Sequence, residues 1–196
     1  MRAPQQQRGR ERRAAVVRAA AEIAAEAGFA AVSHRSVAQR AGVPLGSTTY
    51  YFSSLDELLG AVAGAMVDEC LDRGSAVVSA AQPGTYSPKE AAALVTEAVL
   101  PGDERILGYY EPLLSAARHP AVASALGQAR PRLMAMVSRA LDTTGYAGRV
   151  SADLVLAVVD GAALSALSEG RPDVRVFVTD VTAELFGSTL TAQPTS

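Results

Sequence analysis

Apolar positions along the chain recur mainly at spacings of three and four, and nine segments with that rhythm predict helices. The first, about Glu11 to Ala27, carries Val16, Ala20, Ile23, Ala24 and Ala27 in one row and stops at Gly28, a residue suited to the left-handed turn after a helix. Two short helices follow. Ser33 is placed to cap the first, which turns Val37, Ala38 and Ala41 inward; Gly42 makes the turn, and Pro44 opens the second, which runs to about Tyr51. Ser54-Leu-Asp-Glu57 has the spacing of a capping box and opens a long helix ending near Ala80. Ser87-Pro88-Lys-Glu90 repeats the device after a loop at 82–86. Breaks at Pro101-Gly102, His119-Pro120, 143–148 and Gly170-Arg171-Pro172 delimit further helices at about Glu104–Arg118, 120–141, Ser151–Ser168 and Asp173–Phe186. Pro131 is expected to kink or split the helix that contains it, because it lacks a donor and crowds the preceding turn.

This pattern contains no convincing strand, so the fold class is all-α. A three-helix domain with a helix-turn-helix is expected at 10–55 and a larger helical domain at 56–187. Residues 1–9 read as a flexible basic arm, and 188–196, with Pro194 and several Thr, as a disordered tail.

Composition supports helix, because Ala dominates the apolar residues. The single Cys70 cannot form an internal disulfide and fits a reducing, cytoplasmic setting, where it serves as a small buried hydrophobe. The N-terminus has charges but no apolar signal core, and charges, Gly or Pro interrupt every later apolar run before the roughly 20 residues of a membrane span. No membrane partner is expected.

Net charge is −2, which alone argues against a nucleic-acid binder. Its distribution reverses that reading. Residues 1–53 hold eight Arg against three Glu, a net +5, while the remainder holds ten basic against seventeen acidic residues, a net −7. A basic head on an acidic body suits a DNA-contacting module joined to a regulatory one.

The stretch from Gly28 to Leu59 then becomes decisive. Gly42 permits a sharp turn, Ala38 and Ala41 allow close approach, and Val37 and Val43 supply buried contacts, as a helix-turn-helix requires. The second short helix is rich in hydroxyls at Ser47, Thr49, Tyr50 and Tyr51, with Arg35 beside it. Hydroxyls and Arg can bond both phosphates and base edges in a major groove. Phe52 and Thr48 read as packing residues.

Ala41-Gly-Val-Pro-Leu-Gly46, the ending Tyr50-Tyr51-Phe52 and the helix start Ser54-Leu-Asp-Glu-Leu-Leu59 resemble the TetR family of bacterial regulators, with support from Gly28-Phe29 and Val37-Ala38. The resemblance covers about residues 11–70. It implies that Arg35 can reach a guanine edge, and that Leu45, Gly46 and Ser47 form the base-facing tip of the recognition helix. It also implies that Tyr50 and Tyr51 touch backbone or thymine methyls. Ser33, His34 and the Ser54 end of the long helix resemble phosphate contacts, the last through free N–H groups. The family often has Tyr where this chain has Thr49 and Lys where it has Leu55, so two DNA contacts are weakened. The Arg-rich arm (Arg8, Arg10, Arg12, Arg13) is the expected compensation, through a minor groove or phosphates.

The same resemblance implies a ligand pocket and a dimer interface in the C-terminal helices. Met66, Cys70, Tyr109, Tyr110, Leu113, His119, Met134 and Met136 are the pocket candidates, since Met packs adaptably and Tyr pairs an apolar body with a polar tip. Leu154, Val158, Gly161, Ala162 and Ser165, with Val174, Phe177, Val178, Val181 and Leu185, form two faces suited to a four-helix interface between copies of the chain. The expected partners are therefore palindromic double-stranded operator DNA, a small-molecule effector of unknown identity and a second copy of the chain. The expected function is a DNA-binding regulator, a repressor released by its ligand.

An enzyme is not expected. The two His (34 and 119) form no metal-type cluster, and the chain has no HExxH, GxSxG or phosphate-loop pattern, so no metal or cofactor is expected either. The competing reading is a helical adaptor whose DNA-binding motif has degenerated, which Thr49 and Leu55 keep open.

Overall fold

A computed structural model describes residues 3–191, and among them there are nine α-helices and no strand. They are α1 (Ala3–Ala27), α2 (His34–Arg40), α3 (Leu45–Tyr51), α4 (Leu55–Ala80), α5 (Pro88–Val99), α6 (Ile106–Ser115), α7 (Pro120–Thr144), α8 (Ala152–Ser168) and α9 (Val174–Thr191). Single 3₁₀ turns at Phe29–Ala31 and Asp103–Arg105 precede α2 and α6. No helix among the described residues is long and apolar enough to cross a membrane.

The chain forms two compact units. The first combines the N-terminal segment through Asp68 with Leu107–Ala129, and so reaches beyond the 10–55 segment read from the sequence. Its core explains why. Val16, Ala20 and Ile23 of α1 meet Phe29, Val37 and Phe52, and the cluster closes only with Leu58, Leu59 and Val62 of α4 and Val122 of α7. Ala27, expected in the α1 row, is exposed, and Ala19 takes a core position instead.

Several capping residues act as their spacing predicts. Ser33 accepts from Ser36 N–H at 3.1 Å, and Ser36 Oγ accepts from Ser33 N–H at 3.0 Å. Ser87 and Glu90 form the same reciprocal pair at α5, and Ser151 caps α8. The α4 start departs from the expected box: Ser54 Oγ accepts from Glu57 N–H, but Glu57 reaches back one residue further, to the N–H and hydroxyl of Ser53 at 2.8 Å each.

Two helices differ more. α1 begins at Ala3, so the backbone of residues 3–9 is helical where an arm was expected. Gln, Arg and Ala are good helix formers, and Gln7 bonds Glu11 one turn on at 3.1 Å. Residues 1–2 and 192–196, parts of the expected arm and tail, lie outside the described residues, while 188–191 continue α9. α7 is not split at Pro131. Its missing donor would have served the carbonyl of Gly127, which lies on an exposed turn where water can take over. Pro112 in α6 likewise has Gly108 four residues before it, and the glycines ease the crowding that a proline ring imposes there.

The second unit, Glu69–Ile106 with Arg130 onward, is built on α9 packing against α5 and α8. Tyr146 stacks on Phe186 with ring centroids 4.6 Å apart. Arg175 of α9 bonds Glu97 and Asp103 at 2.8 Å each, and also the Pro101 carbonyl, which fastens the start of α9 to the end of α5. α4 reaches α5 at Gly74, where an added Cβ would overlap the Ala98 carbonyl and lie 2.5 Å from Met136 Sδ. Replacing Gly in a helix by Ala ordinarily stabilises by about 1 kcal/mol. Here the clash is with backbone, so Gly74→Ala should destabilise by about 1–3 kcal/mol, lowering the thermal midpoint by roughly 2–12 °C. Gly64→Ala, whose Cβ would meet only Ala125 Cβ at 4.0 Å, should not lower it. Circular dichroism melts of the two variants check the sign.

Candidate nucleic-acid interface

α2 and α3 form a helix-turn-helix whose turn is set by Gly42, at φ +65°. Gly42 N–H donates to the Gln39 carbonyl and Val43 N–H to the Ala38 carbonyl, the paired bonds of a Schellman stop. The backbone thereby leaves α2 and enters α3 within four residues. Pro44 is the cap of α3 rather than its first helical residue, and its carbonyl accepts from Ser47 N–H at 2.8 Å.

One side of the pair is spent on packing. Val37, Ala38 and Thr48 are buried, Thr48 turns its hydroxyl back to the Leu45 carbonyl at 2.8 Å, and Phe52 is fully enclosed. The Arg13 guanidinium lies over the Phe52 ring at 4.6 Å, pinning α1 to the end of α3. Arg40 forks onto Glu26 at 2.6 and 3.0 Å with Glu22 at 3.6 Å, holding the end of α2 against α1. Arg40 holds the Glu26 carboxyl below its ordinary pKa. Nothing in the sequence alone pairs these charges, fourteen and eighteen residues apart.

The other side is free. Leu45, Gly46, Thr49 and Tyr50 are exposed, Tyr50 to 81%, and Ser47 and Tyr51 are half-buried. Nothing lies within 4 Å of a Cβ built on Gly46, so backbone or a base edge can approach it. Tyr51 packs partly on the head's core and meets Tyr50 edge-on at 5.1 Å. Arg35, in the first turn of α2, is exposed and has no hydrogen bond or ion pair among the described residues. Arg35, Leu45, Gly46, Ser47, Thr49 and Tyr50 thus belong to two adjoining helices and leave their polar groups or backbone accessible, although Thr49 Oγ1 also reaches the Gly46 carbonyl at 3.3 Å.

The expected phosphate contacts are less uniform. Ser33 spends its hydroxyl on its own cap, and His34 Nδ1 is enclosed without a partner, so neither atom is offered outward. At the α4 start, Ser54 is exposed, and helix geometry leaves the first amides unbonded. Negative charge opposes an anion there: Asp56 and Glu57 stand in the first turn, and Ser53 holds the Glu57 carboxyl below its ordinary pKa.

The other candidates fall in both units. Met66, Tyr109, Tyr110, Leu113 and His119 belong to the first, with Tyr110 buried in packing and His119 Nδ1 3.4 Å from Asp56. Cys70, Met134 and Met136 belong to the second; Met136 is buried beside Gly74, and burial pushes the Cys70 thiol above its ordinary pKa. In α8 and α9, Leu154, Gly161 and Ser165 are exposed, and Val158, Val174, Phe177, Val181 and Leu185 are half-buried. Ala162 and Val178 depart from the expected face. Both are enclosed in the core of their own unit, because one step along a helix turns a side chain by about 100°.

Two stretches of the chain match known protein families. Residues 16–62 match the family of bacterial regulatory proteins, tetR family, and residues 86–188 the tetracyclin repressor-like C-terminal domain. Among solved structures, the multidrug binding protein EbrR complexed with imidazole is 30% identical with a TM-score of 0.69, covering 89% of this chain and 94% of that one. EbrR is also solved with proflavin and with ethidium, each at 29% identity. A transcriptional regulator from Rhodococcus sp. Rha1 is 27% identical with a TM-score of 0.69, covering 94% of this chain and 98% of that one. No curated protein matches the chain at a significant level.

Proposed function

The chain belongs to the TetR family of bacterial regulatory proteins and is a DNA-binding regulator, and from that premise we propose that it is a homodimeric repressor released from a palindromic operator by a small organic molecule. The observation that carries the reading is the two-sided helix-turn-helix: Val37, Ala38 and Thr48 are buried, while Arg35, Leu45, Gly46 and Tyr50 stay free for a groove. One short helix reads few base pairs. A two-fold pair of heads reads two half-sites about one or more helical turns apart, which gives the dimer its purpose. The exposed parts of α8 and α9 supply the apolar strip for that pairing.

The effector part of the proposal rests on the relatives. EbrR is solved with proflavin and ethidium, both planar aromatic cations, and the net −7 of residues 54–196 favours cations here too. Release follows from differential affinity: moving a 1:99 equilibrium to 99:1 requires about 5.5 kcal/mol in favour of the conformer that does not fit DNA.

Three measurements test the proposal. The purified protein should shift the DNA upstream of its own gene at nanomolar concentration and physiological salt, and proflavin should bind the free protein by fluorescence polarisation and dissociate the complex. An unrelated repressor–operator pair controls for intercalation of the dye. Deleting the gene should raise transcription from that promoter; a fall would make the protein an activator.

A further inference from the structure

A cavity of about 380 Å³ opens on the first unit, and none of the residues on the free side of α2 and α3 lines it. Phe29, Val32 and Leu59 are buried and form its floor, Leu55 and Leu114 its apolar walls, and Arg118 stands at its rim. The size lies within the roughly 300–1,000 Å³ of small-molecule sites. Leu55 is 39% and Leu114 58% exposed. A single exposed Leu needs no explanation, but these two come from different helices and converge on one concavity.

The walls are held in place without a ligand. Glu111 Oε2 accepts from Phe29 N–H at 2.6 Å, and its carboxylate lies against Gly28, whose φ of +85° brings the backbone there. Asp56 Oδ2 accepts from Ala121 N–H at 3.1 Å, and α4 and α7 meet so closely that a Cβ on Gly60 would lie 2.8 Å from Ala121 Cβ. A site fixed in advance loses little freedom on binding.

Charge selects the occupant. Glu111 is committed to the Phe29 amide and Asp56 Oδ2 to the Ala121 amide, while Asp56 Oδ1 lies 3.4 Å from His119 Nδ1 without a hydrogen bond. Arg118 is exposed, and its side chain has no hydrogen bond or ion pair among the described residues. The lining cation whose side chain is left without a partner is therefore the Arg118 guanidinium, whose planar fork matches a carboxylate.

We propose that this cavity is a second ligand site, which takes an amphipathic organic anion with its apolar body against Leu55, Leu59 and Leu114 and its carboxylate on Arg118. Every lining residue belongs to the first unit, so the site stands independently of the effector reading above.

The test uses 2-naphthoate on the full chain, read by calorimetry and by methyl NMR, with the naphthylmethylammonium ion as the charge-reversed probe. Naphthoate should shift the methyl resonances of Leu59 and Leu114, and Arg118→Glu should weaken it at least tenfold while the ammonium probe gains. Leu114→Gln, also at the surface, should weaken naphthoate without changing the melting temperature. Absence of binding at millimolar probe overturns the proposal, as does binding that leaves those methyls unmoved or ignores Arg118→Glu. None of these results depends on operator DNA or on proflavin, so failure here leaves the repressor reading intact.

Discussion

Val158→Asp combined with Val181→Asp should convert the protein to a monomer and weaken operator binding at least a hundredfold. Leu154, Val158, Gly161 and Ser165 follow one face of α8, with Leu154 47% exposed, and Val174, Phe177, Val181 and Leu185 follow one face of α9. Val158 and Val181 are only half-buried within their own unit, so the substitutions leave its core intact. In an apolar interface each charge would have to shed its water without a partner, at a cost of several kcal/mol. The effect on DNA is larger than that on the dimer alone, because a single head gives up everything it gained from the second half-site. Val176→Asp is the control: Val176 is 57% exposed and lies about 200° around α9 from Val174. Sedimentation velocity gives the mass and a mobility shift the affinity. A double variant that stays dimeric, or a monomer that binds as well as the parent, would refute this assignment of the interface.

That face also shows where sequence reading stops. α8 is apolar around most of its circumference, and Val155, Leu156, Val159, Ala163 and Ala166 fill the unit's own core. Ala162 and Val178 could be counted with either side, and only three-dimensional packing decides that they turn inward. The same limit applies to the pocket candidates. Met66, Tyr110 and Met136 have the right chemistry for a ligand site, but chemistry does not say which of two cores a side chain joins. The helix-turn-helix was legible because its signals are local. Gly42 must adopt a positive φ, Ser33 must cap within three residues, and Val37 and Ala38 must face the same side. The Glu111–Phe29 tether spans 82 residues and left no trace in any window of sequence.

Arg35→Ala should weaken operator binding by about 1–3 kcal/mol, roughly five- to two-hundredfold, and relax preference at one base pair of each half-site. Arg35 has no partner within the described structure, so its removal orphans nothing and should leave stability unchanged. Deleting residues 1–10 should act differently. Arg8 and Arg10 sit exposed on the helical first part of α1. A helix is about 10–12 Å across, too wide for a minor groove of about 6 Å, so in this form the two Arg can reach only phosphates. Deletion should therefore weaken all sequences alike and lower the slope of log affinity against log salt by about 0.9 for each phosphate that is no longer neutralised. Arg13 lies beyond the deletion and should still clamp Phe52. Binding titrations at four salt concentrations, on the operator and on a scrambled duplex, separate the two effects. If the deletion changed sequence preference and left the slope intact, residues 1–10 would have to unwind on DNA and enter the groove.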